Sequence, residues 1–402
     1  MIKNIILSGG WGYGNLGDDA ILLSSVRLLR DKFPNARINI LTYCIRDSKK
    51  VLKDIGDLYF YESLDRKLFG YNYHPAPIGN SKIDDIKFAI TKRISIKKKL
   101  KTQKLLAELY DNTEYCIEKC KFKIDEYCTL VKECDLYIMS GGGYILDWPD
   151  SVISKYIEIY LAKKRNIKCF ITGITYGPFY NKKVSLLASR IIKLSDKIFV
   201  RDKFSLNDII SIGGNCIKEV IPDIALRDEV VVKSRKNKII LIPFNRNLEY
   251  NANEICDDIS NICNKYQYSV AVVVSQLWYN PMNVANKLFY KLRSMECDVE
   301  MIVPKDFYTL QSVISESQLV LSQNLHGLIL SHRSNTPLIC LNTTRKFVSF
   351  MEMIGGTDFI IDPMKFTKGC ISDMYERIFL NKLDKSKSFK KQIDAAFESF
   401  LQ

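Results

Sequence analysis

No apolar run among the 402 residues reaches the roughly 18 that a membrane-spanning helix needs, which argues against a spanning protein. Nor does a leader precede the first strand-like segment. Met1-Ile2-Lys3-Asn4 leads directly into Ile5-Ile6-Leu7, and this predicts a chain without a signal peptide. The twelve cysteines contain no Cys-x-x-Cys pair, Cys116 and Cys120 being four apart, and a chain of this size needs no disulfide staples. They read as reduced thiols, mostly buried. Histidine is scarce: His74, His326 and His332 are all there is, and no histidine or carboxylate cluster has the spacing of metal ligands, so no metal is expected.

What is present describes a folded protein, with 47% hydrophobic and 26% charged residues. A single core stops growing at roughly 250 to 300 residues, so the length predicts two domains. The net charge of +14 is uneven. Between Lys82 and Lys104, nine basic residues face only Asp84 and Asp85, which gives this segment +7. A solvated helix face is the plainer reading. The sharper one notes Ile83, Ile86, Ile90 and Ile94 at helical spacing and predicts contact with an anionic membrane surface, in which Lys97, Lys98 and Lys99 would take part. Apart from Phe88 no aromatics interleave with these charges as stacking platforms would, so no nucleic-acid partner is expected.

Short apolar runs alternate with helical patterns, which predicts parallel sheets covered by helices. In the first half the expected strands are 4–7, 37–41, 136–139, 168–172, 197–200 and 219–221, with a basic helical pair inserted at about 80–133. The pattern restarts at 238–243 and continues through 268–274, 299–303, 319–321 and 337–341. The expected organisation is therefore two Rossmann-like α/β domains, 1–232 and 233–402, facing a central cleft at the carboxyl ends of the strands.

The stretch Gly12-Tyr13-Gly14-Asn15-Leu16-Gly17 after the first strand is a literal G-x-G-x-x-G. A dinucleotide site would place a carboxylate at the end of the second strand, but that strand ends Leu41-Thr42-Tyr43-Cys44. Asp18 and Asp19 would also repel a pyrophosphate seated on the following helix. The glycines are better read as a tight turn that brings Asn15 and Asp18 to sugar hydroxyls, with Asp19 serving the helix start. Ser140-Gly141-Gly142-Gly143 and Gly173-Ile174-Thr175-Tyr176-Gly177-Pro178 are read as two more such turns, so Gly142 and Tyr176 join Asn15 and Asp18 as candidate acceptor-binding residues in the first domain. His326 follows a strand and opens an apolar helix. An ordinary pKa of about 6.5 suits it to proton transfer, and it is the candidate catalytic residue. For His74 and His332 a packing role is expected.

In order and spacing, "GYGNLGDDAIL", "SGGGYILD", "GITYGPF", "VRDKFSLNDI", "IPDIAL", "NLHGLILSHRSNTPLI" and "RKFVSF" resemble the polysaccharide pyruvyl transferases over about residues 2–356. The resemblance implies a glycosyltransferase-B-like fold, phosphoenolpyruvate as donor and co-substrate with no cofactor, and a saccharide acceptor, often lipid-linked. It implies a cytoplasmic enzyme of surface polysaccharide (exopolysaccharide or capsule) biosynthesis, working at the inner face of the plasma membrane. It also places Arg201 and Lys346 on the donor beside His326 and Leu325. One departure stands out: the family usually carries arginine immediately before Leu-His, and this chain has Asn324. An amide cannot fork onto a carboxylate or phosphate as a charged guanidinium does, and Arg345 is the candidate replacement. Two rival readings stay open: a sugar-nucleotide glycosyltransferase of the same architecture, and a non-catalytic binding relative.

Overall fold

The computed structural model describes residues 2–70, 100–213, 216–228, 230, 234–276, 281–381 and 389–399. Most of the basic segment 82–104, its lysines 97–99 and His74 therefore lie outside the described residues. The chain divides into two compact units. The first takes in the chain up to Tyr13 together with Ser25–Ile221, and the second takes in Gly14–Ser24 together with Pro222–Glu398. The long stretch of the first unit thus ends at Ile221, ahead of the charged restart near 232, and the 3₁₀ turn Ile224–Leu226 that follows is already buried within the second unit.

The first unit is built on seven parallel strands: β1 (Asn4–Ser8), β2 (Arg37–Thr42), β3 (Leu58–Glu62), β4 (Leu136–Ile145), β5 (Lys168–Tyr176), β6 (Lys197–Val200) and β7 (Ile217–Val220). Their order is β3-β2-β1-β4-β5-β6-β7. The chain therefore reverses direction across the sheet between β1 and β4, which is where open α/β sheets place their ligand crevices. The helices are α1 (Leu16–Lys32), whose residues up to Ser24 belong to the second unit, α2 (Ile45–Val51), α3 (Leu64–Phe69), α4 (100–111), α5 (Thr113–Leu130), α6 (Pro149–Lys163), α7 (Lys182–Leu194) and α8 (Lys203–Ile210). β1 is buried almost throughout, as a central strand covered on both faces must be.

Three expectations need correction here. The strand β3, "LYFYE", was not anticipated, so the helical pair α4–α5 is the crossover from β3 to β4 and not an excursion between the second and third strands. The glycine cluster 140–143 lies within β4, and Gly173 lies within β5, where the ladders shift register instead of turning. Gly177-Pro178 lies outside the strand, just past the end of β5. At Gly142 the backbone has φ +80°, and a Cβ would stand 2.2 Å from the Tyr144 ring, so the irregularity needs glycine.

The second unit carries five parallel strands, β8 (Lys238–Ile242), β9 (Ser269–Val273), β10 (Val299–Ile302), β11 (Leu319–Ser322) and β12 (Leu338–Cys340), in the order β10-β9-β8-β11-β12. Its direction reverses between β8 and β11. Around it lie α9 (Asn247–Tyr250), α10 (Ala252–Tyr266), α11 (Pro281–Ser294), α12 (Phe307–Ser315), α13 (Leu325–Arg333), α14 (Arg345–Met353), α15 (Cys370–Asn381) and α16 (Lys390–Glu398). The packing reading of His332 agrees with its ring contacts: 6.3 Å from Phe350 and 5.5 Å from Phe389, centroid to centroid. All twelve cysteines are free thiols, half of them buried and half partly buried. Among the described residues no helix is long and apolar enough to cross a membrane.

Candidate functional site

The reversal point of the second sheet is fastened by one side chain. Gln323, buried just after β11, accepts hydrogen bonds at Oε1 from the backbone N–H of Phe244 (3.0 Å) and Asn245 (3.1 Å), and its Nε2 donates to Asn245 Oδ1 (3.1 Å). The loops after β8 and β11 are thereby held together. Ser322 closes the next turn, its Oγ accepting from Asn324 N (2.9 Å) and donating to Asn324 O (2.8 Å). Asn324 then caps α13, its Oδ1 accepting from His326 N (2.9 Å) and Gly327 N (3.2 Å). The amide oxygen at the position where an arginine was expected is thus committed to helix capping, and it sets the backbone that carries His326. Leu325, next to it, is buried.

The imidazole of His326 rests on Gly17. A Cβ at Gly17 would fall 2.0 Å from His326 Cγ and 2.1 Å from Nδ1, so only glycine permits this approach. One residue further on, Asp18 Oδ1 lies 3.8 Å from His326 Nε2, and both side chains are largely buried. Asn15 holds this carboxylate by donating from Nδ2 to Asp18 Oδ2 (2.8 Å), while its own Oδ1 accepts from Gly17 N (3.2 Å). Asn15 also forms an antiparallel bridge with Gln276, beyond the end of β9. Asn15 and Asp18, expected in the first domain on the acceptor side, therefore belong to the second unit beside the histidine.

On the other flank of β11, Leu341 N donates to Ser322 O (2.9 Å), and the loop after β12 leads through Thr344 into α14. Arg345 and Lys346 open that helix, both exposed, with Lys346 Nζ 5.4 Å from the centroid of the Phe347 ring.

In the first unit, Arg201 follows β6 and donates from Nε to Thr175 Oγ1 (2.8 Å). Asp202 caps α8 by accepting from Ser205 N (2.7 Å), and also accepts from Ser205 Oγ (2.7 Å), which in turn accepts from Tyr176 N (2.9 Å). The Arg-Asp-x-x-Ser stretch thus holds the end of β5. Tyr176 is buried against Phe179, ring centroids 4.9 Å apart, and burial pushes its phenol up to about 12. Gly142 sits beside Tyr144 at the reversal point of the first sheet.

Charged groups are buried beneath that reversal point. On α6, Lys155 and Glu158 pair at 3.1 Å with essentially no exposure. Lys155 Nζ donates to Ser8 Oγ (2.7 Å), and Tyr137 OH donates to Glu158 Oε2 (2.7 Å). Asp65, fully buried, accepts from Ser154 Oγ and Tyr43 OH; burial pushes its carboxyl up to about 6, against the opposing pull of Lys155. Asp150 nearby is pushed up to about 7, first by burial and then by the charge of Asp65. Sequence reasoning did not single out Gln323, Gly17 as the seat of His326, or this buried cluster. Their partners are remote in sequence, and no local pattern marks them.

The family model "Polysaccharide pyruvyl transferase" matches residues 15–345. No curated protein matches the sequence. Among solved structures the chain is similar to the UDP-GlcNAc 2-epimerase of Methanocaldococcus jannaschii, with 15% identity and a TM-score of 0.58, covering 98% of this chain and 99% of that one. It is also similar to the S. aureus MnaA–UDP co-structure (12% identity, TM-score 0.56, covering 100% and 97%). A third is Anabaena Alr3699/HepE in complex with UDP (10% identity, TM-score 0.54, covering 97% and 94%). At these identities the likeness is one of fold: two parallel-sheet α/β domains of the glycosyltransferase-B type.

Proposed function

Because the chain belongs to the polysaccharide pyruvyl transferase family, we propose that it transfers the pyruvyl group of phosphoenolpyruvate onto two hydroxyls of a saccharide, as a cyclic ketal. The observation that carries this reading is the pairing of His326 with Asp18 at 3.8 Å, at the reversal point of a parallel sheet. Ketal formation requires a proton on the terminal carbon of the enol, which exposes an oxocarbenium-like centre at the next carbon. Two hydroxyls add there, the bond to phosphate breaks, and the two hydroxyl protons end on the new methyl group and on the departing phosphate. His326 is suited to move these protons, and a carboxylate beside an imidazole orients the ring and stabilises the imidazolium that forms. Arg201 and Lys346 are read as donor cations.

Calorimetric titration with phosphoenolpyruvate, beside UDP as the rival ligand, tests this directly. We expect the first to bind and the second not, and Arg201→Ala to weaken donor binding. His326→Ala should keep donor affinity while losing turnover by about 10²- to 10⁴-fold, as removal of a general acid/base does. Binding of UDP alone would make the protein a sugar-nucleotide enzyme instead.

A further inference from the structure

The donor proposed above carries a negative charge at each end, a carboxylate and a phosphate, and the position where an arginine was expected holds a capping amide. The strand order supplies a guanidinium from elsewhere. His326 lies just past β11, and β11 is flanked by β12 on one side and β8 on the other. The loop after β12 leads to Arg345 and Lys346, and the loop after β8 reads Pro243-Phe244-Asn245-Arg246-Asn247. That loop is fixed on both sides of Asn245: its N–H and side chain bond Gln323, and its Oδ1 also accepts from Asn247 N (3.0 Å). Arg246 follows, exposed, and forms no ion pair among the described residues. Neighbouring strands lie about 4.8 Å apart, so the backbones after β8 and β12 are separated by about 10 Å, with the histidine strand between them. Arginine and lysine side chains are long enough for such a spacing to be bridged by a small anion over the middle strand.

We propose that Arg246 is a further anion-binding cation of the donor site, meeting the donor from the β8 flank of the histidine strand while Arg345 and Lys346 meet it from the β12 flank. This rests on the donor reading above for the identity of the ligand, though not for the existence of the site. Guanidinium is the suitable head group because it forks onto two oxygens of a carboxylate or phosphate.

The test is calorimetric titration of the parent protein, Arg246→Gln and Arg246→Lys with phosphoenolpyruvate, inorganic phosphate and UDP separately, with melting temperatures measured alongside. Arg246→Gln should weaken phosphoenolpyruvate binding by about 10- to 100-fold, the lysine variant by less, and neither should change the melting temperature, since the side chain is exposed. Parent-like affinity in Arg246→Gln would overturn the assignment and leave the pyruvyl transfer reading standing. If the parent binds UDP and not phosphoenolpyruvate, and Arg246→Gln weakens UDP, the anion site holds and the pyruvyl reading fails. A parent protein that binds none of the three overturns the site itself.

Discussion

A methyl group at position 17 has nowhere to go. It would overlap the His326 ring, so Gly17→Ala must push the imidazole off its seat and away from Asp18 while leaving the histidine in place. We expect turnover to fall by roughly 100-fold with donor affinity retained, the same pattern as loss of the histidine. Steady-state kinetics beside calorimetry check this, and normal turnover would remove His326 from the chemistry. A second prediction at this scale concerns Asp65. Its carboxyl is raised from 3.8 to about 6, chiefly by burial, so the folded protein holds the proton more tightly than the unfolded chain. The stability that Asp65 contributes is therefore fully present below the unfolded value and is lost as pH rises from about 4 to about 6. A change of this size corresponds to roughly 3 kcal/mol at most. Urea titrations across that window should show a shallower decline in Asp65→Asn than in the parent; parallel curves would refute the shift. His326 and Asp18 could be singled out as candidates in the sequence because each sits in a short polar stretch beside a glycine. Their contact was not, since nothing local ties residue 17 to a histidine in the other half of the chain.

At the scale of elements, α6 shows how a helix is tied down by polar groups. Lys155 and Glu158, one turn apart, both face inward, and their hydrogen bonds to Ser8 of β1 and Tyr137 of β4 fix the helix over the strands where the first sheet reverses. Lys155→Met should cost about 3 to 5 kcal/mol, because it leaves a buried carboxylate uncompensated, whereas the double change with Glu158→Gln should recover much of that. Chemical denaturation of the two variants decides the matter, and equal losses would count against a compensated pair. The elements themselves were legible where apolar runs are short and unbroken, as in β1, β8 and β11. β3 escaped notice because it is an edge strand, partly exposed along its length, whose aromatics do not form a clean apolar run. β4 and β5 were cut short because glycines were read as turns, whereas here their positive φ values bend strands that continue past them.

For the whole molecule, the two parallel sheets followed from the alternation of apolar runs and helical patterns, and the family from seven motifs in order. The division of the chain did not, because Gly14–Ser24 joins the second unit through contacts that no composition shift marks. This has a consequence for dissecting the protein. A single cut at residue 222 does not release a complete second unit, since a fragment of residues 222–398 would lack both the glycine that seats His326 and the carboxylate beside it. We expect such a fragment to aggregate, and a rearranged gene that fuses residues 14–24 to it through a flexible linker to regain a cooperative melting transition. Equal melting behaviour with and without the added segment would show that the segment is dispensable. The amino-terminal half of α1 is, in this sense, a part lent to the other unit, and any exchange of units between relatives must carry it along.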